Sequence, residues 1–272
     1  MNIKSLLAAL VVSLSLAANG MAGQHVSDGS WSSFMRKVLK EAEQGDAKAQ
    51  YSIGASYQRG YGGVPNNIAK ALEWYRKAAE GGHADAQLQL GWMYRDDGYG
   101  VPNDIVKAIE WFRKAAEGGK LSATLSLANI YATDKGALHD DAKAMMWYRK
   151  TVEHPSDTTL DKDYKLWALA LLASGYYWGR GVPLNYAKAL SLCRKAAEES
   201  GRYCLSLLGT IYRDGKGVPQ DYVEAHKWLN LAAAKGRSSY WAGKERDKLA
   251  LKMTPAQIAE AQRLAREWKP KK

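Results

Sequence analysis

Little in this sequence is suited to covalent or metal chemistry. It has two cysteines, Cys193 and Cys204, and five histidines, His25, His83, His139, His154 and His226, scattered without metal-ligand spacing. No nucleophile elbow, phosphate-binding loop or paired-carboxylate motif stands out, so no residue is assigned a catalytic role and neither cofactor nor metal is expected. Proline is scarce too, at seven in 272 residues. With 46% hydrophobic and 25% charged residues, the composition is that of an ordered globular protein. After the first segment no apolar run approaches the ~20 residues that a membrane span needs, which excludes a transmembrane segment in the mature chain.

The first segment, "MNIKSLLAALVVSLSLAANGMAGQ", has Lys4, an apolar stretch from Leu6 to Ala18, and small residues at Gly20, Ala22 and Gly23. It reads as a secretory signal peptide cut after Ala22, with an uncleaved membrane anchor as the alternative reading, and the protein is expected to be periplasmic or secreted. Acidic residues are in deficit, 28 against 39 Lys and Arg, for a formal charge of +11. From Arg237 to Lys272 there are ten basic and four acidic residues. A basic surface favours an acidic protein or an anionic envelope surface. Nucleic acid is not expected for an exported chain without a recognised binding motif.

What is abundant is self-similarity. "GYGGVPNNIAKALEWYRKAAEGG" from Gly60 is nearly repeated as "GYGVPNDIVKAIEWFRKAAEGG" from Gly98. Five copies align on Tyr57, Tyr94, Tyr131, Tyr177 and Tyr212. A small residue stands three positions earlier, at Gly54, Gly91, Ala128, Ser174 and Gly209. Val-Pro follows at 64–65, 101–102, 182–183 and 218–219, then Trp74, Trp111, Trp147 and Trp228, with Leu192 in the fourth copy. Each copy reads as two helices. The first is capped near Asp46 and stops at glycine; the second is capped by Asn67, Asp104, Asn185 or Asp221 and carries an Ala/Leu/Trp stripe. Neither helix can bury its stripe alone, so successive units must stack.

"AQYSIGASYQRGYGGVPNNIAKALEWYRKAAEGG" resembles the Sel-1-like repeat, a relative of the tetratricopeptide repeat with a longer interhelical loop. The copies recur at 36–37 residues, against ~34 for the tetratricopeptide unit. The resemblance implies an all-α, right-handed α-solenoid of about five helix-turn-helix repeats with terminal caps. The expected divisions are a leader at 1–22, a capping helix at 23–44, and repeats at 45–81, 82–118, 119–155, 156–200 and 201–236. Basic capping helices follow at 237–272. Copy three is degenerate around "TDKGALHDD", and "TVEHPSDTTLDKDYKLW" stretches the Trp147-to-Leu192 spacing to 45 residues.

The resemblance further implies a non-enzymatic adaptor that binds a protein of unknown identity on the concave face. Residues offset from the core stripe of the first helices, Tyr51, Trp92, Arg95, Asn129, Trp178 and Arg213, form the expected groove; Tyr, Trp and Arg are enriched at binding hot spots. Packing between repeats is an equal reading for Trp92 and Trp178. Some cysteine-rich members are described as penicillin-binding or β-lactamase-like, but the single pair here leaves that activity without residues to rest on. A glycan or anionic-surface binder acting through the basic C-terminal segment is a further alternative. Cys193 and Cys204 flank the turn at Glu199 and Ser200, so two antiparallel helices could hold them face to face; a disulfide and two reduced core side chains are both open.

Overall fold

Polar caps and apolar stripes occur twice per period, and each occurrence becomes a helix. The computed structural model describes residues 33–96, 99, 101–134, 136–155, 158–200, 202–235 and 239–271. The expected leader and the first residues of the expected N-terminal cap lie outside them. Among the described residues there are 13 helices and no strand. A lone helix α1 (Ser33–Glu43) precedes the pairs α2 (Ala47–Arg59) with α3 (Ile68–Glu80) and α4 (Ala84–Arg95) with α5 (Ile105–Glu117). Then come α6 (Leu121–Thr133) with α7 (Asp141–Glu153), α8 (Thr159–Trp178) with α9 (Tyr186–Ser200), and α10 (Leu205–Asp214) with α11 (Tyr222–Lys235). The chain closes on α12 (Ser239–Ala250) and α13 (Pro255–Glu267). The architecture is an all-α solenoid.

Two compact units are distinguished, residues 1–86 with 98–100 and residues 87–97 with 101–272. In the first, α1 acts as the expected cap: Met35, Val38 and Ala42 pack on Ala49 and Ile53. Asp46 caps α2 by accepting from the Ala49 N–H at 2.6 Å, and Asn67 caps α3 through the Lys70 N–H. Each such cap contributes about 1 kcal/mol.

In the second unit the same grammar recurs with few exceptions. In copies two to five the cap residue of the second helix donates its backbone N–H to a tyrosine carbonyl of the first helix: Asp104 to Tyr94, Asp140 to Tyr131, Asn185 to Tyr176, Asp221 to Tyr212, at 2.8–3.0 Å. This bond corrects the sequence register of the fourth copy. Tyr176, not Tyr177, is the recurring tyrosine, and Ala173, not Ser174, is the small residue before it. A run of two tyrosines hid the one-residue shift. The tyrosine ring is held from two sides. Lys107, Lys143 and Lys188 of the same repeat lie over Tyr94, Tyr131 and Tyr176 at 4.6–5.6 Å. Arg113, Arg149 and Arg194 reach forward to the hydroxyls of Tyr131, Tyr176 and Tyr212 in the next repeat. Hydrogen bonds from Lys188, then Arg149, hold the Tyr176 hydroxyl below the usual tyrosine range.

The small residue of the first helix makes room for a large one of the second. A Cβ at Gly91 would lie 2.5 Å from the Phe112 ring, and one at Gly209 would lie 2.6 Å from Leu229. In the loop, Gly181 has φ +65° and its added Cβ would sit 2.2 Å from the Asp141 backbone. Glycine is thus required there both for its conformation and for the close approach to the preceding repeat.

Copy four departs as a group. Its first helix, α8, begins two turns early, and Leu166 and Leu169 pack with Ala196 and Leu192. The two added turns themselves place Asp163 against Arg202 and the Tyr203 hydroxyl. Burial, then the Asp163 charge, push that phenol up to about 12. In copy three, Thr151 replaces the usual alanine and shares a buried 2.9 Å hydrogen bond with Thr124. The C-terminal pair is a sixth helical hairpin: Thr254 caps α13 in a capping box with Gln257, and Trp268 packs edge-on on Trp228 at 5.3 Å.

Candidate interaction surface

The residues expected to line a groove are divided between the two units and differ widely in what they offer. Tyr51, in the first unit, is half-buried; it stacks on His83 at 4.7 Å and tilts against Tyr75. His83 is not a ligand there, because its Nδ1 accepts from the Ala86 N–H at 3.3 Å and caps α4.

In the second unit Trp92 is only 7% exposed and packs edge-on against Phe112 at 5.4 Å. The indole is packed against its own repeat. Its Nε1–H has no partner. An unmet indole donor costs about 1–3 kcal/mol, yet burying an aromatic of ~200 Å2 at ~25 cal/mol per Å2 returns about 5 kcal/mol, so burial wins. Arg95 lies over this indole at 4.0 Å and grips Asp96 through two bonds of 2.9 and 3.0 Å. Trp92 therefore acts from beneath, as the platform that fixes Arg95.

Asn129 is half-buried, and its Oδ1 accepts from the Tyr148 hydroxyl at 2.8 Å. Burial, followed by the Asp141 charge, raises the Tyr148 phenol, so it stays a neutral donor. Arg213 binds Asp214 and Glu245, both at 2.7 Å. Burial pushes the Asp214 carboxyl up, but hydrogen bonds from Arg213 and Tyr177 outweigh it and hold the group below the usual carboxylate range. Trp178 alone of the six is more than half exposed, at 53%. It ends α8 with its ring edge-on to Tyr177 at 4.7 Å.

Sequence reasoning missed two neighbours of Trp178. One is Tyr177, which the corrected register puts in the place of Arg95 and Arg213 and whose hydroxyl donates to Asp214 at 2.9 Å. The other is Leu184. In copies one, two and five the residue before the cap is Asn66, Asn103 or Gln220, donating to the carbonyl of Gln58, Arg95 or Arg213 at 2.7–2.8 Å. Leucine cannot do so. Comparing the copies column by column at this position would have found it.

Cys193 and Cys204 form a disulfide with a Cα–Cα separation of 5.2 Å. Cys193 fills the slot that Tyr75, Phe112 and Tyr148 occupy in other copies, and its partner caps α10 in the left-handed region at φ +63°. That conformation costs a side-chain-bearing residue about 1–2 kcal/mol, which the cross-link offsets. No side-chain cap bond is made there, since the sulfur is engaged.

The basic C-terminal segment is less free than its composition suggests. Arg246 pairs with Asp247, Lys248 with Glu245, Arg263 with Glu260 and Glu267, and Lys271 with Glu198. A cavity of about 450 Å3 beside that last pair is lined by Arg194, Lys195, Glu198 and Glu199, a mixture of signs without a convergent donor set. Among the described residues no group of His, Cys, Asp and Glu could hold a metal ion, and no helix is long and apolar enough to cross a membrane.

The Sel1 repeat family model matches residues 47–83, 84–120, 121–154, 168–200 and 203–236. Among solved structures, the chain is similar to a protective antigen of uropathogenic Escherichia coli that displays an SLR fold. Identity is 31% over 86% of this chain and 47% of that one, with a TM-score of 0.65. It is also similar to a Sel1 repeat protein from Oxalobacter formigenes, at 30% identity over 74% of this chain and 55% of that one, with a TM-score of 0.62. The chain thus spans about half the length of these two solved relatives. No curated protein matches it. The recurring tyrosine clasp, the Gly-x-Gly-Val-Pro loop and the five matched repeats place this chain in the Sel1 repeat family.

Proposed function

We propose that this protein is a non-enzymatic adaptor, exported to the cell envelope, that binds a protein partner on the first-helix side of its repeats. Five tandem Sel1 repeats carry the reading, since Sel1 repeat proteins generally mediate protein–protein interaction and are typically scaffolds. In the second unit Arg95, Asn129 and Arg213 present fixed polar groups on that side, and Trp178 supplies exposed aromatic area. The leader-like composition of residues 1–22 and the Cys193–Cys204 bond support an oxidising compartment outside the cytoplasm.

Site-specific photocrosslinking in the native cell tests this reading. A crosslinking residue placed at Arg95 or Arg213 is expected to give one discrete protein adduct. The same residue at Glu110, on the exposed face of a second helix, is expected to give none. Equal adducts from all three positions, or none from either arginine position in folded protein, reject the first-helix side. Fractionation with the leader intact and with residues 1–22 deleted tests export.

A further inference from the structure

The loop edge of the fourth repeat breaks the repeat grammar at two positions, and both changes expose apolar surface. Trp178 stands where the other copies have Arg59, Asp96, Thr133 and Asp214, and is 53% exposed. Leu184 stands where three copies close the loop with an amide, and is 54% exposed. Gly179 joins them spatially, since a Cβ there would touch the Leu184 side chain at 3.6 Å. Under Trp178 lies the buried Tyr177 ring, and Tyr186 packs edge-on against Tyr177 at 5.4 Å. An exposed pair alone would say nothing of its occupant. The charges around it do.

Lys216 Nζ sits 5.3 Å from the Tyr177 ring centre and 5.4 Å from that of Tyr186, and its charge helps to hold the Asp214 carboxyl below the usual range. Arg180 is exposed in the same loop, between Trp178 and Leu184. Lys188 lies over Tyr176 at 4.6 Å. Against these, the Asp214 carboxylate is engaged by Arg213 and Tyr177, and Asp141, whose backbone abuts Gly181, faces His139 at 3.6 Å. Three cations thus stand against two carboxylates along the rim, and of these Asp214 is already held by Arg213 and Tyr177.

We infer that this edge, built from Trp178, Leu184, Tyr186, Arg180 and Lys216, docks an acidic peptide segment bearing an aromatic or large aliphatic anchor. The anchor would cover Trp178 and Leu184, desolvating the cations around it, and carboxylates flanking it would meet Arg180 and Lys216, whose attraction strengthens as water leaves. This deepens the adaptor reading by naming a partner class and rests on it, but it concerns the loop edge rather than Arg95 and Asn129.

Fluorescence anisotropy tests it with a labelled decapeptide of two phenylalanines set among glutamates, alongside lysine–phenylalanine and glutamate–serine counterparts. The acidic aromatic peptide is expected to bind at least tenfold more tightly than either counterpart, and to weaken several-fold between 50 and 500 mM salt as screening shortens to roughly 4–5 Å. Trp178→Ala and Leu184→Asn are each expected to weaken it about tenfold, and Lys216→Ala several-fold. Leu184→Asn is the informative variant: it restores the amide that copies one and two carry, so the fold, followed by circular dichroism, is expected to be retained. Equal binding of the lysine peptide, or unchanged affinity in Leu184→Asn, overturns the inference. So does competition by a polyuronate that abolishes binding while the glutamate–serine peptide binds equally well, which would make the edge a polyanion site. Loss of this binding with Arg95 adducts retained in the cell would reject the inference alone; the reverse pattern would reject the first-helix reading alone.

Discussion

Gly91→Ala isolates the packing rule on which the solenoid is built. The new Cβ would lie 2.5 Å from both Cδ1 and Cε1 of Phe112, against 3.5–4.0 Å for relaxed carbon contacts. The two groups would thus interpenetrate by about 1 Å. The ring has little freedom to swing away, being fully buried with the Trp92 indole edge-on against it at 5.4 Å. Helix propensity pulls the other way, favouring alanine by about 1 kcal/mol. A forced methyl in a close-packed core costs about 1–3 kcal/mol; with so deep an overlap the upper half of that range applies, about 2–3 kcal/mol, and the net expectation is a loss of about 1–2 kcal/mol. In a chain of this size that lowers Tm by roughly 2–8 °C. Thermal and urea unfolding followed by circular dichroism measure it, with Phe112→Leu and the double variant completing a cycle. Relief of the clash predicts a double variant more stable than the two single losses sum to, by at least ~0.5 kcal/mol. A Gly91→Ala protein that unfolds at higher urea than wild type would falsify the argument that close approach, rather than backbone freedom, is what this glycine supplies. Ala128→Gly, at the equivalent position of copy three, is the internal control and is expected to lose about 1 kcal/mol.

Other predictions rest on single features. Replacing Cys193 and Cys204 together by serine removes an 11-residue cross-link, and chain entropy puts the loss near 3 kcal/mol; a variant melting within a degree of wild type would contradict this. Burial, then the Arg246 charge, hold His226 below its ordinary value of 6.5, with Asp247 opposing. The unfolded chain therefore binds a proton that the folded chain resists, and stability is lost as pH falls below about 6.5 towards the folded value. His226→Gln should flatten Tm between pH 7 and 5, and an unchanged slope in the variant removes this histidine as the cause. Thr151→Val leaves the Thr124 hydroxyl with only the Leu121 carbonyl at 2.7 Å; chemical denaturation should show a loss of about 1 kcal/mol, and none at all would mean that the pair is not coupled.

The helical pairs were legible because their signals are local. Caps such as Asp46, Asn67 and Thr254 lie one turn from the amides they satisfy, and the apolar stripes recur at fixed spacing. The exposed face was much less legible, because helical periodicity tells which side a residue occupies but not how closely the next helix stands. Trp92 and Trp178 looked alike in the sequence; one is sealed by Phe112 and the other stands clear at the end of its helix. Arg95 and Arg213 likewise looked like free cations, yet each is engaged by the aspartate that follows it. The disulfide was left open by spacing alone, since pairing depends on where two helices approach.

Copy four shows why the departures of a repeat must be taken together. Leu192 for tryptophan and Cys193 for a large aromatic both remove volume from α9. Taken singly, each would leave a void costing several kcal/mol in a close-packed interior. Leu166 and Leu169, which directly follow the two extra turns of α8, pack around Leu192 with Ala196, and Tyr203, held by Asp163 of the extension, packs over the same cluster. Because Tyr203 and Arg202 then hold Asp163, the turn before Cys204 is fixed on one side by the extension and on the other by Cys193. The insertion, the lost aromatics and the cross-link therefore form one compensated unit. Shortening α8 while keeping Leu192 and Cys193 should destabilise this repeat more than shortening it with tryptophan restored at Leu192. The opposite order would show that the extension and the small side chains arose independently of one another.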